Sequence, residues 1–85
     1  MRFWRNSNRM LMRRFEDPAG SLWDVVVGRA SWGAFHALFV PVGRDEPVRQ
    51  TALRASSQEA AYDELAALDQ RALAELLDRS DLKDD

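Results

Sequence analysis

The chain contains no cysteine. That excludes disulfide staples and thiolate metal sites, removes one route by which short chains gain stability, and suits a reducing compartment. It has a single histidine, His36, so neither a two-histidine metal motif nor a serine–histidine–acid triad can be assembled at a recognisable spacing. Its one lysine, Lys83, stands near the end of the sequence. Gly28, Gly33 and Gly43 lack the spacing and the lysine of a phosphate-cradling loop. Long apolar runs are missing too. The opening stretch MRFWRNSNRMLMRRF is basic but interrupted, so neither a secretory signal nor a membrane span is indicated, and a cytoplasmic location is the expectation. No cofactor and no metal are expected.

What is present is a charge gradient. The net charge of -2 conceals five arginines and no acid in residues 1–14 (Arg2, Arg5, Arg9, Arg13, Arg14), against nine acids and three bases in residues 59–85. Arg2, Trp4, Arg5, Arg9, Arg13 and Arg14 interleave cations with an indole, as a surface that contacts phosphates and stacks on bases does. The same composition serves an arm docked on a protein, or pairing with the acidic third of the chain. Nucleic acid is therefore the second choice of partner.

At 85 residues the chain is expected to form one small domain, since either half alone would bury too little. A first strand is read from about Met10 to Glu16, although methionine, leucine and arginine also favour a helix over residues 3–14. The reversal EDPAGS decides for the strand: Pro18 pre-sets its own φ, Gly20 admits a positive one, and the run Leu22–Val27 that follows holds three consecutive valines. Alternation puts Trp23, Val25 and Val27 on one face and Leu22, Asp24 and Val26 on the other. A third strand, Trp32–Val40, places Phe35, Ala37 and Phe39 opposite Ala34, His36, Leu38 and Val40, so both faces are largely apolar. A fourth, Val48–Leu53, carries Arg49, Gln50 and Thr51 and suits a sheet edge.

After Arg54 the period changes. Residues 56–80 contain no proline, glycine or valine, and Ala61, Leu65, Leu68, Ala72 and Leu76 form a helical stripe that Tyr62, Ala66, Leu73 and Leu77 widen. Ser56 with Glu59 fits a capping box. Asp69 within the widened stripe leaves two readings at even weight: one unbroken helix, or a second helix capped by Asp69. Residues from about 80 to 85 read as a fraying acidic tail. The fold class is thus α+β, a meander of four strands (three if the last fails) with a C-terminal helix or helix pair on one face.

Candidate sites are few. Asp24 on a strand reads as solvated or paired with an arginine such as Arg13 on the neighbouring strand. The adjacent carboxylates Asp45–Glu46, Asp63–Glu64 and Asp84–Asp85 do not share a helix face and carry no acid–base signal. His36 reads first as a half-buried imidazole with a satisfied hydrogen bond, with ligand binding or a pH response as its rival. A single layer of helix leaves one sheet face uncovered, and contiguous apolar surface marks association. Trp23, Trp32, Phe35, His36 and Phe39 are the candidate protein interface. The expected function is a non-catalytic protein-interaction module that associates with itself as a homodimer or with another protein; the alternative is a nucleic-acid-binding accessory protein using the basic arm.

Overall fold

The computed structural model describes residues 12–29 and 33–83. Five strands, β1 (Met12–Glu16), β2 (Leu22–Arg29), β3 (Phe35–Pro41), β4 (Arg49–Ala52) and β5 (Asp81–Leu82), form one antiparallel sheet in that order. Two helices, α1 (Gln58–Ala67) and α2 (Gln70–Arg79), lie between β4 and β5 in the chain and pack on one face of the sheet. The mixed α+β class, the antiparallel meander and the helix pair are as the sequence indicates.

The β1–β2 reversal follows from Asp17. Its Oδ1 accepts the amide N–H groups of Ala19 (3.0 Å) and Ser21 (2.8 Å), its carbonyl accepts from Gly20 at 2.9 Å, and Gly20 takes a φ of 91° that a side chain would resist. Oδ2 accepts from the indole N–H of Trp23 at 3.0 Å. The hairpin register Glu16↔Leu22, Arg14↔Asp24, Met12↔Val26 is set by this closure.

Alternation does the rest. Phe15, Trp23, Val25, Phe35, Ala37 and Phe39 share the face beneath the helices and are buried together with Leu53, Ala61, Leu65, Leu73 and Leu76. Phe39 sits at the centre, with Phe15 and Trp23 edge-on to its ring at centroid distances of 6.2 and 6.3 Å.

Two expectations are corrected, and the alternative left open at Asp69 is decided. The capping residue of α1 is Ser57, whose Oγ accepts from the amide of Ala60, and not Ser56. The helical region is broken: Leu68 takes an extended φ/ψ of -80°/133°, and Asp69 caps α2 by accepting from the amide of Ala72 at 2.8 Å. The break resets the helical phase, so Leu73 is fully buried while Ala72 is only partly so. Nor are Asp81 and Leu82 a fraying tail. They pair with Gln50 and Arg49, so β4 is an inner strand. Arg49 secures this closure, with Nε donating to Ser80 Oγ (2.7 Å) and Nη2 to the Ser80 carbonyl (2.8 Å), and Ser80 itself is buried.

The corner between the helices is tied to the sheet by Arg13. Its Nη1 donates to the carbonyl oxygens of Leu65 (3.0 Å), which also accepts from the Leu68 amide, and of Leu68 at the end of α1.

Candidate functional site

The second face of the sheet carries the opposite parity. Reading across the strands, Met12, Val26, Leu38 and Gln50 form one row; Arg14, Asp24 and Val40 form the next; Gly28, His36 and Ala52 form a third. Glu16 and Leu22 flank them on one side, and Asp81 extends the sheet beside Gln50. Among the described residues no helix or loop packs over this surface. Met12 and Leu22 are 44% and 37% exposed, and Val26, Leu38, Val40 and His36 are half-buried.

Its centre is apolar for a local reason. Gly28 has no side chain, and a Cβ built there meets Leu38 Cδ1 at 2.6 Å. The Leu38 side chain therefore leans across the position a larger residue would take. Among the described residues the one ion pair on the face is internally neutral. Arg14 Nε donates to Asp24 Oδ1 at 2.6 Å, which corrects the expected partner from Arg13 to Arg14: directly opposed residues across an antiparallel pair share a face, and the register opposes Arg14 to Asp24.

The residues expected to form an interface separate between the two faces. Trp23 (5% exposed), Phe35 (5%) and Phe39 (0%) belong to the core, so in this protomer they offer no surface to a partner. His36 alone of that group lies on the open face; Trp32 lies outside the described residues. The apolar side chains on the open face are instead Met12, Leu22, Val26, Leu38 and Val40. Their parity was readable in the sequence, whereas the aromatic residues that drew attention lie on the core side of each strand.

Of the residues expected to meet an anionic partner, Arg13 spends its guanidinium on the α1 carbonyls and Arg14 on Asp24. Arg2, Trp4, Arg5 and Arg9 lie outside the described residues. Arg44 is a cation that no local pattern singles out. It stacks over the Trp23 ring at 4.7 Å and donates to the Leu22 carbonyl at 2.8 Å and to Glu46 at 3.1 Å. With Asp17 it encloses the indole. The Trp23 N–H, above all, and the Ser21 and Ala19 amides and Arg44 hold the Asp17 carboxyl below its ordinary 3.8, against the opposing effect of burial. Apart from Arg44 Nη2, which is buried without a hydrogen-bond partner among the described residues, the cluster is engaged with itself and with the Leu22 carbonyl and reads as structural.

Among the described residues no three histidine, cysteine, aspartate or glutamate side chains converge as a metal site, and no helix is long and apolar enough to cross a membrane. Comparison with known protein families, with curated proteins and with solved structures gives no match.

Proposed function

We propose that this protein is a non-catalytic interaction module that associates with a second copy of itself through the open face of its sheet. The observation that carries the reading is the row Met12, Val26, Leu38, with Val40 and Leu22 beside it, left without cover among the described residues while the opposite face holds the whole core.

A second copy is the occupant the surface suits best. Sheets pack face to face about 10 Å apart with side chains interdigitating, and the shallow, half-buried side chains here present no groove for an inserted helix. The Arg14–Asp24 pair is neutral as it stands, so covering it demands no counter-charge from the partner. A patch of four strands and about six residues spans roughly 20 by 20 Å. Doubled, and allowing for corrugation, this comes to on the order of 1,000 Å² of covered surface, at the lower end for specific interfaces. The dimer is accordingly of about micromolar stability and exchanges readily. A cytoplasmic setting accords with a chain that has no cysteine.

Sedimentation over a concentration series from about 1 to 500 µM brackets that range. The expected result is a monomer–dimer equilibrium that L38E, placing a carboxylate at the centre of the face, abolishes without loss of helical signal. A strictly monomeric wild type overturns the proposal. So does a dimer indifferent to L38E, or one that forms only after residues 1–11 are removed, which would make that segment the natural cover.

A further inference from the structure

A second feature lies on the helical side of the molecule, remote from the open face. The last turns of α1 and α2 and the connection leading from β4 enclose a cleft of about 380 Å³ lined by Arg54, Glu64, Ala67, Leu68, Leu76 and Arg79. Its floor is apolar, with Leu76 buried and Leu68 half-buried. Two exposed arginines are among its lining residues, Arg54 from the connection and Arg79 from the final turn of α2.

The charges around the cleft are unevenly satisfied. Glu64 looks like the natural partner for both arginines, yet its carboxylate is spent on backbone: Oε1 accepts from the amides of Arg54 (3.0 Å) and Ala55 (2.9 Å), and Oε2 from Arg54 at 3.1 Å. Three carbonyls at the two helix ends are already met by other arginines. Arg13 takes those of Leu65 and Leu68, and Arg49 takes that of Ser80. Among the described residues Arg54 and Arg79 have no carboxylate partner; the only two ion pairs are Arg14–Asp24 and Arg44–Glu46. Residues 1–11 contain arginines and no acid; Asp84 and Asp85 lie outside the described residues.

We propose that this cleft binds a small organic monoanion, a carboxylate carried on a short aliphatic or aromatic body. The carboxylate bridges the Arg54 and Arg79 guanidiniums, whose planar forks suit it, and the body lies on Leu68, Leu76 and Ala67. Cavities of this volume with a few convergent polar groups are of the size that holds small ligands. A single negative charge is specified, because Glu64 in the lining and Glu75 and Asp78 on the surrounding turns of α2 oppose a dianion.

Backbone amide NMR of the full chain, titrated with sodium octanoate, tests this, with octylamine, octanol and inorganic phosphate as separate arms. Octanoate is expected to shift the Leu68, Leu76 and Arg79 amides saturably below about 10 mM, whereas the other three probes do not. R54Q and R79Q, both at exposed positions that leave the fold intact, each weaken octanoate about threefold or more, and the double variant about tenfold or more. L38E leaves this binding unchanged, so failure here is separable from failure of self-association. The proposal is overturned by the absence of saturable shifts, by octanol or phosphate binding as well as octanoate, by shifts confined to Val26 and Leu38, or by undiminished affinity in the double variant.

Discussion

Replacing Arg13 with methionine removes the guanidinium that joins β1 to the corner between the helices while keeping most of the side-chain stem in place. In the native protein Nη1 serves the Leu65 and Leu68 carbonyls together. Hydrogen bonds from charged donors contribute about 1.5–3 kcal/mol each, but this side chain is half-exposed, and water recovers part of what is lost. A net loss of about 2–3 kcal/mol follows, including a few tenths from the favourable placing of a cation at the end of α1. For a chain of this length the whole stability is roughly 4–13 kcal/mol, so the substitution removes a substantial fraction of it. Urea denaturation followed by far-UV circular dichroism reads the effect as a midpoint lowered by on the order of 2 M, with little change in slope. Arg13→Lys retains the charge but not the forked geometry and falls between the two. If Arg13→Met lies within about 0.5 kcal/mol of wild type, the range expected of ordinary surface substitutions, the reasoning that the corner is anchored through this residue fails.

Phe39→Ala empties the centre of the aromatic cluster, where the ring is fully enclosed, and is expected to cost about 3–5 kcal/mol; calorimetry should show a broad transition or none. Asp69→Ala removes the cap of α2 at about 1 kcal/mol, and Asp69→Asn should recover most of that in the same urea assay. Asp17 supplies a pH signature. Its carboxyl titrates below 3.8 in the folded chain, so its contribution to stability is complete at neutral pH and disappears as pH falls from about 4 through the lowered folded value. The stability gap between wild type and Asp17→Asn should narrow in acid, and a gap that stays constant from neutrality to below pH 3 would refute the assignment. Gly28→Ala drives a methyl group against Leu38; Leu38→Ala removes the obstacle, so a double-mutant cycle should show coupling of about 0.5–1.5 kcal/mol in favour of the pair.

How far the fold could be read depended on whether local chemistry or distant contacts decided each element. The hairpin was legible because Asp17, Pro18 and Gly20 determine their own turn, and face assignments on β2 and β3 were legible because a period of two leaves little choice. The break at Asp69 could be read only as one of two outcomes: helix propensity and capping chemistry compete there at nearly equal strength, and tertiary contacts such as the Arg13 bonds to the Leu65 and Leu68 carbonyls favour the second. Strand β5 was not legible at all. Two residues carry no period, and their place depends on Arg49 reaching Ser80 across thirty-one positions of sequence. Similarly, nothing local reveals that Glu64 is consumed by backbone amides, leaving Arg54 and Arg79 to face the cleft without it.

The two rims of the sheet deserve comparison with its open face. On one rim β1 reads Met-Arg-Arg-Phe-Glu, three charges in five residues, and on the other β5 offers two residues, one of them an aspartate. Short or heavily charged borders discourage lateral strand addition, so the sheet is poorly suited to growing sideways into ribbons. Stacking through the broad surface, as proposed above, would by contrast consume that surface on both molecules and leave nothing for a third, so such an assembly would close at a pair.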